Sequence, residues 1–491
     1  MSSDDRLRQL VLEAATLSST ASALGWDQET YLPEKGYDWR ARQLAWLSGR
    51  HHETVTSQAW GDTLSEAMDR APDDERSLGN LREMKRRFDR ATCLPTALVE
   101  RATELSSRAK HAWAAARRDS DFAAYAPFLR ELLEVSREKA ERWGYPDEPY
   151  DALLETYEPG TTSAALDTLF RPLGESLSRI AEEAIERSRR RGLELPPGPY
   201  PQAAQMAFNA AVAQSIGFDL EAGRIDTTTH PFCTRLGPTD VRLTTRYNED
   251  DFTSSLFGVM HEAGHGLYEQ GLSPEDFGMP AGDSASLGIH ESQSRLWENH
   301  VGRSRGFWQH WLPVAVGHFP QLAPLSLDDF LAIIHRSDRG FIRVDADEAT
   351  YDLHILLRFD LERRLFRSEL SVEDVPAAWN EAFHASFGTR PPNDTLGCLQ
   401  DIHWSMGGFG YFPTYTLGNL NASQLFGAAL GCPEVATATE SADYAPLLAW
   451  LRENVHQPGA TRTPAGIIRG ATGSEPAAEA HLRHLRARYL A

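Results

Sequence analysis

The segment VMHEAGHGLY, residues 259–268, places the tightest constraint on how this chain can fold. His261 and His265 are four residues apart, so a helix would bring both imidazoles to one face, one turn apart, where they can share a metal ion. Glu262 follows the first histidine and could act as a general base on a water bound to that metal. The pattern therefore predicts a helix with a catalytic zinc site, which is typical of peptide hydrolases.

The same segment has the composition of a buried helix. An apolar stripe runs beside the two histidines: Leu256, Met260, Ala263 and Leu267. Burial of two histidines and a glutamate without partners would be costly, which argues against two unrelated surface histidines. Glycines lower helix propensity, so their number here indicates that another backbone approaches closely: Gly258, Gly264 and Gly266.

A catalytic zinc site built on two histidines needs a third protein ligand. Residues 286–299 offer Glu291 and Glu298, two turns apart on one helix face, and His290 as a third candidate. Spacing alone leaves this choice open. The four cysteines are scattered without a Cys-x-x-Cys pair, so neither a disulfide framework nor a cysteine zinc site is expected.

The overall composition restricts the class of protein further. Seventy acidic residues against 49 basic ones give a net charge of -21, which disfavours binding to nucleic acid or anionic membranes. The sequence has no run of about 18 apolar residues that would span a membrane. Residues 1–10 lack the basic start and apolar core of a secretory signal. We therefore expect a cytoplasmic protein with no nucleic-acid or membrane partner.

Periodicity along the chain predicts a mainly α-helical fold. Residues 1–190 have the pattern of long helices, interrupted by an irregular piece at Gly25–Pro33, and the chain is mostly helical again from Asp251. Residues 227–247 contain two β-favouring runs, which predict a hairpin just before the zinc-binding helix. A loop rich in proline and glycine, residues 192–201, joins segments of similar composition. We expect a large α-rich fold with one small sheet.

Several motifs, found in order along the chain, resemble those of the M32 metallocarboxypeptidases, the thermostable carboxypeptidase group. Besides the zinc-binding helix they are His230-Pro-Phe232, Asp240-Val-Arg242-Leu-Thr244, His290-Glu-Ser-Gln293, Ile342-Arg343-Val-Asp345-Ala-Asp347-Glu348 and Gly397-Cys-Leu-Gln400-Asp401-Ile-His403-Trp404. Asp345 stands where the resemblance would lead us to expect a glutamate, a departure that keeps the charge. An ordered set of motifs is far more specific than the His-Glu-x-x-His pattern alone.

The resemblance implies a fold, a ligand set and an assembly. It selects Glu291 as the third zinc ligand beside His261 and His265, leaves Glu298 as an outer carboxylate, and suggests a homodimer. Zn²⁺ would be the cofactor, and Co²⁺ could replace it. The expected organisation is a single peptidase domain with long helices walling a deep cleft: residues 1–491 overall, 1–190 as the helical cleft wall or lid, 227–247 as the hairpin and 251–420 as the catalytic core.

Peptide hydrolysis also needs donors that stabilise a tetrahedral oxyanion. His403, Tyr411 and Tyr415 are suitable donors, and the two tyrosines lie on a glycine-loosened loop. A packed aromatic turn is the alternative, but it would suit Phe409 and Phe412 better than the tyrosines. We therefore expect a catalytic role for these three residues.

A carboxypeptidase must in addition bind the free carboxylate of its substrate. A planar guanidinium suits that task through paired hydrogen bonds. Arg343 is the first candidate, followed by Arg242 and Arg246. The alternative is that Arg343 only pairs with Asp345 or Asp347.

The strand around Arg242–Thr245 directly precedes the zinc-binding helix, and with Thr244 it could bind substrate. It could accept an extended peptide as an added strand through backbone hydrogen bonds, which favours broad specificity. Asp347 and Glu348 could orient a zinc-binding histidine from outside the ligand set.

Together these features predict a zinc-dependent carboxypeptidase that removes single residues from peptides with a free C-terminus. A zinc oligopeptidase that cuts internal bonds would use the same metal site without the carboxylate clamp. A non-catalytic peptide-binding scaffold with a structural metal is a further alternative. Glu262 argues against the scaffold, because a structural site has no use for a general base.

Overall fold

The structure, a computed structural model, describes residues 3–70 and 72–490. Its helices, in chain order, are α1 Ser3–Thr30, α2 Tyr37–Val55, α3 Gln58–Asp69, α4 Glu75–Thr92, α5 Thr96–Asp119, α6 Phe122–Trp143, α7 Pro149–Leu154, α8 Ser163–Arg191, α9 Gln202–Ser215, α10 Phe252–Gly271, α11 Leu287–Arg295, α12 Arg305–His318, α13 Leu327–Ile334, α14 Glu348–Phe366, α15 Val375–Phe387, α16 Pro413–Leu430, α17 Pro433–Glu440, α18 Ala445–Leu451, α19 Pro464–Thr472 and α20 Glu479–Tyr489. Within the described residues the strands are β1 Gly223–Thr227, β2 Cys233–Gly237 and β3 Asp240–Thr245. The predicted α-rich fold with one small sheet is confirmed.

The chain packs into two compact units, and each has its own apolar core. Unit 1 comprises the residues up to Thr92, Glu194–Ile334 and Asn421–Pro476, and unit 2 comprises Cys93–Leu193, His335–Leu420 and the residues from Ala477. Unit 1 contains the sheet and α10. The single peptidase domain over residues 1–491 and its deep cleft stay predictions. Among the described residues, no helix is both long and apolar enough to span a membrane.

The N-terminal part of the chain forms the long helices that periodicity predicts, with one difference. Helix α1 continues to Thr30, so the irregular piece predicted from Gly25 is wrong over most of its length. Trp26 is buried, and Thr30 Oγ1 donates to the Trp26 carbonyl at 2.7 Å. Side-chain packing thus outweighs the low helix propensity of a single glycine.

The small sheet has the strand order β1-β3-β2. Strand β3 lies in the middle, antiparallel to β2 in the predicted hairpin and parallel to β1, which sequence analysis missed. Val241 and Leu243 on β3 are fully buried. Because both edges of β3 are occupied, the prediction that this strand accepts an added peptide strand is wrong. The edges of the sheet are β1 and β2.

Helix α10 carries the His-Glu-x-x-His segment and is buried as predicted. Asp251 caps its first turn by accepting a hydrogen bond from Thr253 N at 2.9 Å. The apolar stripe is fully buried: Leu256, Met260, Ala263 and Leu267.

The close backbone approach predicted from the glycines occurs at Gly264. A Cβ at this position would lie 2.6 Å from Gln293 O and 2.6 Å from Ser294 Cα, both on α11. Gly266 instead faces the side chains of Phe218 and Leu243. Helix α11 can therefore pack against the histidine-bearing helix only because residue 264 lacks a side chain.

Replacing Gly264 with alanine tests this contact. We expect Gly264→Ala to lower the free energy of unfolding by about 1–3 kcal/mol because the added Cβ overlaps backbone. Gly258→Ala is the matched control in the same helix, since its Cβ would meet Thr245 Oγ1 at an ordinary 3.4 Å. Denaturant unfolding of both variants measures the difference, and equal losses would contradict the prediction.

Candidate active site

Two histidines on α10 and a glutamate on α11 form a compact group that fits a metal ion. The ligand atoms of His261, His265 and Glu291 all lie within 4.8 Å of one another. Glu291 Oε2 is 3.6 Å from His261 Nε2 and 3.3 Å from His265 Nε2. Tetrahedral ligands about 2.1 Å from a zinc ion stand about 3.4 Å apart. Two nitrogens and one oxygen at this spacing match a catalytic zinc site with a fourth, open position.

The other ring nitrogen of each histidine has its own partner. His261 Nδ1 lies 2.9 Å from Glu298 Oε2, and His265 Nδ1 lies 3.1 Å from the main-chain oxygen of His290. Such partners fix the ring orientation and leave Nε2 for a metal. Glu298 and His290, the alternative third ligands, therefore contact the histidines from outside the group. Glu298 lies on a π-helical turn, Leu296–Val301, that continues α11.

A largely buried arginine holds the glutamate in place. Arg295 Nε donates to Glu291 Oε1 at 2.7 Å, and Arg295 Nη1 donates to Glu298 Oε2 at 3.2 Å. Although burial raises it, the charges of Arg295 and the histidines hold the pKa of Glu291 well below its usual value. Arg295 is not among the residues predicted from the sequence. Its spacing of four residues from Glu291, which is typical of helical ion pairs, was the available signal.

Glu262, the candidate general base, lies next to His261 on α10 and is 7% exposed. Burial raises the pKa of Glu262 to about 7, and the neighbouring His261 opposes that shift. A carboxylate whose pKa lies near the working pH is suited to taking and returning a proton. Glu262 thus lies beside a candidate metal ligand and has a pKa suited to a general base.

In unit 2 the segment His403–Tyr415 brings the predicted oxyanion donors together. His403 Nε2 lies 3.1 Å from the Tyr415 hydroxyl, and the rings of His403 and Tyr411 are 4.9 Å apart. Burial lowers the pKa of His403 to about 3, so its imidazole is neutral near pH 7. A neutral imidazole and two phenols can donate hydrogen bonds to a developing negative charge.

Arg343, the predicted carboxylate clamp, is buried and ion-paired. Its Nε and Nη2 donate to Asp401 Oδ1 at 3.0 and 2.7 Å, and its Nη1 donates to the Tyr351 hydroxyl at 2.8 Å. Asp401 Oδ2 also accepts from Arg358 Nε at 2.7 Å. Two buried guanidinium groups therefore share one carboxylate. Arg358 lies outside the motifs and is not among the residues predicted from the sequence.

Asp347 and Glu348 have structural roles at the start of α14. Asp347 caps the helix by accepting from Ala349 N at 3.0 Å. Glu348 holds α20, with Oε1 2.7 Å from His484 Nε2 and Oε2 accepting from Arg488 Nη1 at 2.8 Å. The prediction that these carboxylates orient a zinc-binding histidine is wrong, because other groups already orient both histidines.

Arg242 and Thr244 contact the sheet and its surroundings. Arg242 Nε and Nη2 donate to Asp240 at 2.9 and 2.8 Å, and the guanidinium lies 4.4 Å from the Trp26 ring centre. The Thr244 hydroxyl accepts from Phe232 N at 2.8 Å and donates to Phe232 O at 3.0 Å. Both side chains thus stabilise the hairpin, and substrate contact by either stays a prediction.

A buried carboxylate anchors the loop of the candidate donors. Glu362 Oε1 accepts from Trp404 Nε1 at 2.7 Å, and its Oε2 accepts from the Tyr150 hydroxyl at 2.7 Å and from Gly410 N at 3.0 Å. Trp404 directly follows the candidate histidine, and Gly410 directly precedes Tyr411. Glu362 therefore fixes both ends of the loop. No sequence pattern marks this residue.

The arrangement of these residues defines a class of protein, and the match to known proteins gives the family. A helix with the His-Glu-x-x-His pattern and a third carboxylate define a metallopeptidase. Residues 6–489 match the model of the family described as Carboxypeptidase Taq (M32) metallopeptidase. The chain belongs to this M32 family.

The relatives support the same assignment over the whole chain. Thermostable carboxypeptidase 1 of Thermus thermophilus is 41% identical over 495 residues, which cover 98% of this chain and 96% of the relative. The crystal structure of an M32 carboxypeptidase from Deinococcus radiodurans R1 has a TM-score of 0.94 at 36% identity and covers 99% of this chain and 98% of its own. A Pyrococcus furiosus carboxypeptidase structure, named Apo-Mg, has a TM-score of 0.94 at 33% identity, with 98% of each chain covered.

These findings confirm the predicted family, the fold class and the enzyme class. The protein is a metallocarboxypeptidase, a hydrolase of peptides. Membership of a metallopeptidase family also implies a divalent metal.

Paired substitutions distinguish a metal ligand from a residue that only orients one. We expect Glu291→Ala to lose stoichiometric zinc, because two imidazoles alone bind it weakly. Glu298→Ala removes the partner of His261 but no proposed ligand, and it should weaken zinc binding by about 10–100-fold. Metal content after dialysis and titration with a competing chelator measure both effects. Stoichiometric zinc in Glu291→Ala would overturn the assignment of the third ligand.

The buried Glu362 gives a pH dependence of stability. Burial raises the pKa of Glu362 to about 7, compared with 4.5 for an unperturbed glutamate. A raised pKa means that the folded state binds the proton of Glu362 more tightly than the unfolded state does. The resulting gain in stability is fully present below pH 4.5 and is lost as the pH rises through about 7. Glutamine at this position does not titrate. The wild type should therefore lose stability relative to Glu362→Gln as the pH rises from about 5 to about 8. Urea unfolding measures it, and a constant difference would contradict the prediction.

Proposed function

We propose that this protein is a zinc-dependent carboxypeptidase that releases single amino acids from the free C-terminus of peptides with broad specificity. The observation that carries the proposal is the spacing of the ligand atoms of His261, His265 and Glu291. Nitrogen and carboxylate ligands in this number suit zinc, whereas magnesium prefers an octahedral set of oxygens. Co²⁺ is expected to replace Zn²⁺ in such a site.

The proposed mechanism assigns each step of the reaction to a particular side chain. A zinc ion in this site would supply a Lewis acid that polarises the scissile carbonyl and lowers the pKa of water. Glu262 takes a proton from water as its oxygen adds to the carbonyl carbon, and returns the proton to the amine nitrogen as the C–N bond breaks. His403, Tyr411 and Tyr415 donate hydrogen bonds to the oxyanion.

Arg343 is proposed to bind the terminal carboxylate of the substrate. Its contacts with Asp401 and Tyr351 use three of the five N–H donors of a guanidinium, so two remain for a ligand. Arg343 and Arg358 together carry one more positive charge than Asp401 balances. Since an uncompensated buried charge is costly, a substrate carboxylate is favoured at this position.

Broad specificity is proposed to come from main-chain recognition. Strand β2 lies at the edge of the sheet next to the candidate base, and a peptide added there would be held by backbone hydrogen bonds that do not depend on side-chain identity. Arg242 and Thr244 then contribute by holding this hairpin. A homodimer is proposed from the family resemblance. A cytoplasmic location is proposed because all four cysteines are free, as in a reducing compartment.

Mass spectrometry of one peptide in free-acid and C-terminally amidated forms tests the proposal. With the zinc- or cobalt-loaded enzyme we expect a ladder that loses one residue at a time from the free acid and little cleavage of the amide. Glu262→Gln should keep its metal and lose about 100-fold or more in turnover, because only the base is removed.

Other outcomes would point to the alternatives. Internal fragments from both peptide forms would favour an oligopeptidase and overturn the carboxylate clamp. Absence of cleavage by metal-loaded enzyme would favour a peptide-binding scaffold. Unchanged turnover in Glu262→Gln would remove Glu262 from the mechanism.

A further inference from the structure

A buried histidine outside the motifs, His456, ends a π-helical turn, Arg452–His456, that follows α18. Its side chain is fully buried, and it belongs to unit 1 together with α10 and α11. Within the described residues the other π-helical turn is Leu296–Val301, which carries Glu298. Because π-helical turns occur frequently at functional sites, the position of His456 relative to the candidate metal ligands is informative.

The ring of His456 contacts α10 through a column of aromatic rings. Its centre lies 5.0 Å from that of the Tyr268 ring, on the last turns of α10. The Tyr268 ring lies 5.3 Å from that of His290, and the His290 ring lies 4.5 Å from that of His265. Four rings in contact therefore connect the π-helical turn with a candidate metal ligand.

Helix α10 ends in a glycine that makes room for this histidine. A Cβ at Gly271 would overlap His456 Nδ1 and would lie 2.8 Å from its Cγ. The same helix lacks a side chain at Gly264, where the backbone of α11 approaches. The absence of two Cβ atoms thus lets α10 contact both α11 and the π-helical turn.

His456 also contacts α11, through a hydrogen bond to Gln293. Its Nε2 lies 3.0 Å from Gln293 Oε1. Burial lowers the pKa of His456 to about 3, so the ring is neutral near pH 7, and Nε2 is the donor because an amide oxygen can only accept. Gln293 is fully buried two residues beyond Glu291, and its main-chain oxygen is one of the atoms that approach Gly264. The bond therefore holds α11 where it meets α10.

Packing alone does not account for a histidine at this position. Its Nδ1 is buried and has no hydrogen-bond partner among the residues that the structure describes. An unpaired buried nitrogen costs free energy, whereas a phenylalanine would fill similar space without that cost. The group that distinguishes histidine from an apolar ring here is the Nε2 donor.

We propose that His456 is a positioning residue: through Gln293 it holds α11, and with it Glu291, at the distance from the α10 histidines that a shared metal ion requires. This inference rests on the proposed function, because it takes the metal to be bound at this site. Metal sites tolerate deviations of only about 0.2 Å in ligand distance. A small displacement of α11 would therefore weaken metal binding although all ligands remain.

The affinity for zinc, measured by titration with a competing chelator, tests the inference. We expect His456→Phe to weaken zinc binding by about tenfold, because the ring is kept and the donor to Gln293 is lost. His456→Gln supplies an N–H donor at a similar distance and should restore most of the affinity. His318→Phe is the matched control, since His318 is a half-buried histidine of unit 1 whose ring lies 5.6 Å from that of Phe208, and it should bind zinc like the wild type.

Two further measurements separate positioning from a general loss of stability. The visible absorption of the Co²⁺-loaded protein depends on ligand geometry, so its bands should change in His456→Phe and return in His456→Gln. Gln293→Met removes the acceptor and should weaken zinc binding as His456→Phe does. In the double variant the two losses should not add, because one hydrogen bond accounts for both. Gln293→Met also serves if His456→Phe does not fold.

The possible failures are distinguishable. Wild-type zinc affinity in His456→Phe and Gln293→Met, or losses that add in the double variant, would overturn the positioning role and leave the proposed function intact. A wild-type protein that binds no zinc would overturn the proposed function and the positioning role with it.

Discussion

The close approach of α10 and α11 at Gly264 is the constraint on which the candidate metal centre depends. The backbone that would collide with a side chain at Gly264 belongs to Gln293 and Ser294, two and three residues beyond Glu291. Metal sites tolerate deviations of only about 0.2 Å in ligand distance. A displacement of α11 by the size of a methyl group would therefore carry the Glu291 carboxylate out of reach of a metal shared with the histidines. The absence of one Cβ thus sets the position of the third ligand.

Each unit holds buried charged side chains in a compact network. In unit 1, Arg295 bridges Glu291 and Glu298, and Glu298 in turn contacts His261. In unit 2, Asp401 lies between two arginines. Removal of one partner from a buried pair typically costs about 3–5 kcal/mol, because a charge is left uncompensated. These networks therefore hold the functional side chains in one geometry before substrate binds, as efficient catalysis requires.

The motifs that identify the family divide into those that provide chemistry and those that hold the scaffold. The segments at His261–His265 and at Glu291 contribute reactive groups and ligands. The Asp240–Thr244 segment instead pairs internally and fastens the hairpin through the Phe232 main chain. Asp347 and Glu348 fasten helices α14 and α20. These residues hold elements of the scaffold together, so an ordered motif set does not by itself identify residues that touch substrate.

The sequence by itself determined the α-rich fold, the two histidines, the candidate base and the family, because these follow from helical periodicity and from the order of local motifs. It left the third ligand open among Glu291, Glu298 and His290 until the resemblance selected one. It predicted that a peptide adds to β3, both of whose edges are occupied, and it did not identify Arg295, Arg358 or Glu362. Only the tertiary structure showed the pairing of β3 and the contacts of these three side chains. They depend on which helices meet, which strand lies at the edge of the sheet and which buried groups must satisfy one another, and these contacts join residues far apart in the chain.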